Sequence, residues 1–117
     1  MANITPTLTK NLEGGVFNVY TATWVMGIAD TGLPVAVTSA ADRSVQIEGT
    51  IGGATIVIQG SNDGVNYQPL TDPQGNAISK TVASIEAISE VTRFVRPVTS
   101  GGAGSTITVT LLMRGQA

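Results

Sequence analysis

The chain predicts an all-β protein: a two-layer β-sandwich, jelly roll in form, built from about eight or nine short antiparallel strands. Two observations carry that reading. Runs of β-branched and apolar residues alternate with polar ones at a period of two, most cleanly in Thr106–Met113, Arg43–Thr50 and Ala54–Gln59. Between these runs, turn signals rich in Gly, Asn, Asp and Pro recur at intervals of roughly ten residues, the spacing of a sandwich.

Taken in order, residues 1–15 read as an extended N-terminal arm that contributes one edge strand, and residues 16–117 as a single sandwich domain. The run 16–26, VFNVYTATWVM, is a strand with apolar content on both faces, Tyr20 and Trp24 sharing one of them. Residues 27–34 form a loop, Val35 and Val37 open a short strand, and Val45 and Ile47 point inward while Ser44, Gln46 and Glu48 point out. Ala54, Ile56 and Ile58 then form the buried face of a strand. It runs into the turn Ser61-Asn62-Asp63-Gly64, where side-chain carbonyls and carboxylates can bond nearby backbone and glycine can take a positive φ. The return limb, Val65 to Leu70, contains Pro69, which cannot donate to a ladder and therefore marks an edge. Asp72-Pro73-Gln74-Gly75-Asn76 is a second turn, and Ile78 and Val82 share a face beyond it. In 84–92, Ile85 and Ile88 stand three apart, so the segment reads as a loop with one helical turn. Residues 93–98 form a strand with Pro97 marking its edge or end, and 106–113 a strand central to its sheet.

Composition excludes several functions. Six basic residues, scattered, against eight acidic ones give a net charge of −2, so no nucleic-acid partner is expected. The chain has no histidine and no cysteine, which removes imidazole catalysis, thiolate chemistry and the commonest metal ligands; no catalytic residue, cofactor or metal is assigned. Glu86 and Glu90 are the closest acidic pair and read as a solvated patch beside a turn. No apolar run of about 18 residues occurs, and neither a membrane partner nor a leader is expected. Only 12% of residues are charged, a sparse figure for a free-standing soluble surface, and it points to contact with other protein.

The strand followed by GSNDG-x-N-Tyr-x-x-Leu at 60–70, then D-P-x-G-N at 72–76 and R-F-V-R-P at 93–97, resembles the small jelly-roll-like decoration (cement) proteins of tailed phages, over roughly residues 31–114. That resemblance implies a virion protein on the outer surface of the capsid, binding the major capsid protein and itself as a dimer or trimer. A more local likeness, confined to the hairpin and the R-F-V-R strand, is to galactose-binding-like carbohydrate-binding modules, with Tyr67, Trp24 or Phe94 stacking on a sugar. A phage tail or baseplate component is the third reading. The candidate partner contacts are Trp24, Tyr67, Arg93 and Arg96. Trp24, the only tryptophan, serves either as a core anchor or as an interface residue. Arg93 and Arg96 fall on opposite faces of one strand, where Glu48, Glu86, Glu90 or an acidic rim on a partner could pair with them.

Overall fold

A computed structural model describes residues 2–10, 19–37 and 40–115. Among these residues the regular structure is strand throughout, in two sheets that stack as a sandwich. Twelve strands are numbered in chain order, five of them only two residues long, which is why more segments exist than periodicity alone counts.

The five-stranded sheet has the order β10 (Ser84–Ala87), β6 (Ala40–Thr50), β12 (Thr106–Gly115), β3 (Val19–Met26), β2 (Thr7–Lys10), every neighbour antiparallel. The cleanest alternation in the sequence, β12, lies at its centre as expected. Ile107, Val109, Leu111 and Met113 point into the core, and Thr106, Thr108 and Thr110 point out. The seven-stranded sheet is built on β11 (Phe94–Gly101) paired with β7 (Ala54–Ser61) over eight residue pairs. Beyond β7 lie β8 (Gln68–Pro69) and β9 (Ser79–Lys80); beyond β11 lie β4 (Thr31–Gly32) and β5 (Val35–Ala36), with β1 (Asn3–Ile4) parallel to β4. Within 1–15, residues 3–4 thus join one sheet and residues 7–10 the other; 11–15 lie outside the described residues, as do 16–18 of the next expected strand.

The layers close on a shared apolar core in which Trp24, Met26, Ile47, Ile56, Ile58, Ile78, Ile107 and Leu111 are all under 2% exposed. At the sheet edge, Lys80 on β9 and Glu86 on β10 bridge the two layers at 2.6 Å. Among the described residues no buried side-chain nitrogen or oxygen lacks a hydrogen-bond partner.

Three segments differ from expectation, each for a physical reason. Residues 84–87 form strand β10 against β6, not a helical turn; Ile85 is exposed and Ile88 buried, the opposite orientations that a period of two imposes on residues three apart. Pro97 neither ends its strand nor puts it at the edge: β11 continues to Gly101, with β7 on one side and β4 and β5 on the other. It falls between the residues that pair with β5 (Phe94, Val95) and the one that pairs with β4 (Val98), so the ladder on that flank has a gap where a missing N–H does no harm. Val82, expected beside Ile78, is exposed in the bend after β9.

Candidate functional site

The hairpin after β7 is fixed by its own side chains. Asp63 Oδ1 accepts hydrogen bonds from Ser61 Oγ, Val65 N and Asn66 N, each at 2.8 Å, and Oδ2 accepts from Asn66 Nδ2 at 2.9 Å. Ser61 Oγ in turn accepts from Gly64 N, and Gly64 sits at φ 78°, where a β-carbon is disfavoured. Because Val65 and Asn66 spend their N–H groups on this carboxylate, the return limb pairs with β7 only from Gln68 onward, through Pro69 to Leu70, whose N–H donates to Ile58 O at 2.9 Å. Pro69 is on an outer strand, as expected.

The Asn66 and Val65 backbone donors, with the side chains of Asn66 and Ser61, hold the Asp63 carboxyl well below the usual carboxylate range. A carboxyl whose pKa is depressed on folding stabilises the turn above its unfolded pKa of about 3.9, and that contribution is lost as pH falls through the lower folded value. The Val65 and Asn66 amide resonances are therefore expected to hold their positions when pH is lowered from 7 to about 3.9, and to move only at stronger acidity. Asp63→Ala displaces both at pH 7 while leaving the core amides of β12 unmoved; a two-dimensional amide spectrum across the titration checks both outcomes.

Beside this turn the structure brings together three of the four candidate contacts. Asn62 Oδ1 accepts from Arg93 N at 3.0 Å, fastening the turn to the start of β11. The Arg93 guanidinium lies 5.0 Å from the centroid of the Phe94 ring, and that of Arg96 lies 3.8 Å from the centroid of Tyr67. Arg96 Nε donates to Gln59 Oε1 at 2.9 Å, its cross-strand neighbour on β7. Phe94 and Arg96 are two residues apart on one strand and so share the outer face of the seven-stranded sheet. Val65 and Val91, 79% and 62% exposed, flank the patch in sequence. Neither arginine forms an ion pair among the described residues. The expected acids are engaged elsewhere, Glu86 with Lys80 and Glu90 with Thr71, and Glu48 accepts from Gln46.

Trp24 goes elsewhere. It is 1% exposed, and its indole Nε1 donates to Leu33 O at 3.0 Å, so it anchors the core out of reach of any partner. Of the three aromatics expected to stack on a sugar, Trp24 is thus in the core, and Phe94 and Tyr67 stack against Arg93 and Arg96.

A second polar centre is built on Arg43, which is not among the candidate residues of the sequence. Arg43 on β6, 5% exposed, reaches inward: Nη2 donates to Val37 O at 3.0 Å and Thr92 O at 2.7 Å, Nη1 to Thr92 Oγ1 at 3.2 Å and Glu90 O at 3.3 Å. Burial lowers its pKa, though a guanidinium stays charged. Burial pushes the Glu90 carboxyl up, but the hydroxyl and N–H of Thr71, at 2.6 and 2.8 Å, outweigh it and leave the carboxyl below its ordinary value. Glu90 thus holds the segment 88–92 to Thr71, and Arg43 holds it to β6. Glu86 and Glu90, bound to different partners, do not face each other as a hydrolytic pair. Among the described residues no three acidic side chains gather as metal ligands.

The fold is similar to that of the SPBc2 prophage-derived protein YomS. The TM-score is 0.60 at 11% identity, over 81% of this chain and 94% of that one. A cupin domain from Bordetella pertussis Tohama I aligns with a TM-score of 0.51 at 10% identity, over 97% and 96% of the two chains. A Klebsiella pneumoniae protein with a double-stranded β-helix domain gives 0.51 at 12%, over 97% and 75%. No protein-family model matches the chain, and no curated protein matches it in sequence. These likenesses show the fold: a β-sandwich of the cupin and jelly-roll kind, shared with a prophage protein.

Proposed function

We propose that this chain is a structural, non-catalytic virion subunit of a tailed phage, decorating the outer surface of the head and contacting the major capsid protein through the arginine–aromatic patch. The observation that carries this reading is the patch itself. Two guanidiniums without carboxylate partners, pre-stacked on Phe94 and Tyr67, stand beside a turn locked by Asp63. Arg and Tyr are the residue types that dominate interface energetics, and stacking fixes them before binding, which lowers the entropy lost on contact. Among the described residues Arg96 hydrogen-bonds only through Nε, so its two terminal amino groups can meet an acidic rim on the coat. The space between the sheets is filled by Trp24, Met26, Ile56, Ile58 and Ile107, which favours surface contact over a reaction in a cleft. The shared fold with a prophage-derived protein agrees with a phage setting.

The sugar-binding reading has less support here. Trp24 is inaccessible, Asp63 Oδ1 already accepts three hydrogen bonds, and Asn62 Oδ1 is taken by Arg93 N.

The test is to add purified protein to heads of the parent phage that lack it and to image them. Binding at symmetric outer sites is the expected result, with Arg96→Glu weakening it at least tenfold, a loss of about 1.4 kcal/mol or more, as truncation of a central interface residue does. Labelling of tails alone would move the protein to the tail or baseplate, and binding to neither would overturn the proposal.

A further inference from the structure

The five-stranded sheet turns an unusual face to the outside. Antiparallel sheets with one wet face normally present charged and long polar side chains there. Here the row through the middle reads Thr7, Thr23, Thr110, Gln46, Ile85 across the five strands. Val25, Ile85 and Leu112, on three different strands, project from this side and are 58%, 65% and 40% exposed. Among the described residues its charges are Glu48, and Asp42 and Arg114, which pair with each other at 2.7 Å at the end of the sheet.

We infer that this face is the interface between two copies of the chain, packed sheet on sheet about a two-fold axis near Thr110. Three features of the face select a second copy as occupant. The first is charge. An isologous contact places each patch against itself, so a charged face would confront its own sign. Among the described residues this face has one unpaired charge, Glu48, one strand over from Thr110 and two residues along, and a two-fold lying in the interface at Thr110, parallel or perpendicular to the strands, carries the two Glu48 side chains to opposite sides of the axis. The second is area. At about 4.8 Å between strands and about 3.3 Å per residue, the 4, 8, 10, 11 and 4 residues of β2, β3, β12, β6 and β10 cover a plane of about 600 Å2, or about 1,200 Å2 for two copies, the lower bound of a specific interface. The third is stiffness. Threonine, valine and isoleucine are restricted at χ1 before contact, so little rotamer freedom is lost when two such sheets interlock about 10 Å apart, and threonine hydroxyls can still bond across the seam. The inference goes beyond the coat-docking proposal and stands apart from it, because the arginine–aromatic patch belongs to the other sheet. A back-to-back pair would present two such patches, facing away from each other.

The test needs no capsid. At about 100 µM, far above a micromolar dissociation constant, sedimentation equilibrium is expected to return twice the 12.0 kDa chain mass. Thr110→Lys sets two like charges at the axis and is expected to return the single-chain mass with an unchanged far-UV spectrum. Gln46→Lys, on an exposed neighbour in the same row, repeats the test at a site that tolerates a long side chain, and is expected to weaken the dimer at least tenfold. Thr55→Lys, on the outer face of the other sheet, leaves the double mass intact. A monomeric parent protein, a dimer that survives both Thr110→Lys and Gln46→Lys, or a dimer lost equally in Thr55→Lys would each overturn the inference.

Discussion

Arg43→Met is expected to lower the unfolding free energy by about 3 kcal/mol, among the largest effects of any polar substitution in this protein. The guanidinium ties two separate stretches to β6: Val37 after β5, and the segment 88–92 through the carbonyl of Glu90 and both the carbonyl and hydroxyl of Thr92. Methionine fills most of the stem volume, so the loss is chiefly electrostatic: carbonyls of Val37 and Thr92 lose charged donors at sites with little access to water. Thr92 Oγ1 still donates to Phe94 O at 2.9 Å, but its own donor is gone. Arg43→Lys keeps the charge without the planar fork and is expected to recover less than half of the loss, since one ammonium cannot reach carbonyls on both sides. Denaturant unfolding of the parent and both variants measures this directly. A loss under about 1 kcal/mol for Arg43→Met would mean that the segments it joins are held by apolar packing alone.

Why this residue was invisible in sequence, when so much of the fold was not, is a question of what alternation can report. Period-two patterning placed Val45 and Ile47 inward and Thr106 to Thr110 outward because burial follows hydrophobicity at those positions. The same alternation, continued one step back from Val45, puts Arg43 on the inward face; the signal was present, but a charged residue there reads as the end of the strand. Pro97 misled for the converse reason, since its lack of an N–H matters only where a partner strand needs one, and the break between β4 and β5 is a long-range fact. The candidate contacts divide along the same line. Tyr67 and Arg96 meet because β7 and β11 pair in a particular register, with Gln59 opposite Arg96, and no local spacing encodes that. The Asp63 turn, by contrast, is entirely local, four donors within three residues of the carboxylate, and was legible as it stands.

Trp24→Ala is expected to cost about 4 kcal/mol, enough to lower the melting temperature by on the order of 20 °C. The indole is the largest fully buried side chain, and its N–H satisfies Leu33 O in the segment that links β4 to β5. Trp24→Phe separates the two contributions: it keeps most of the apolar volume, removes the donor, and should cost about 2 kcal/mol. The packing beneath the indole gives a sharper test. A β-carbon on Gly32 would stand 2.6 Å from Pro97 Cδ and 2.9 Å from Trp24 Cδ1, so β4 can approach β11 this closely only because residue 32 has no side chain. Gly32→Ala is therefore expected to cost about 2 kcal/mol in the parent protein, since neither a proline ring nor a buried indole can swing aside. In a Trp24→Ala background one of the two obstructions is gone while the proline ring remains, so the cost of Gly32→Ala should fall without vanishing, a coupling of about 1 kcal/mol in a double-mutant cycle. Strict additivity would show that the strain is carried by Pro97 alone, and that the indole tolerates the added methyl by moving into space the native packing does not show.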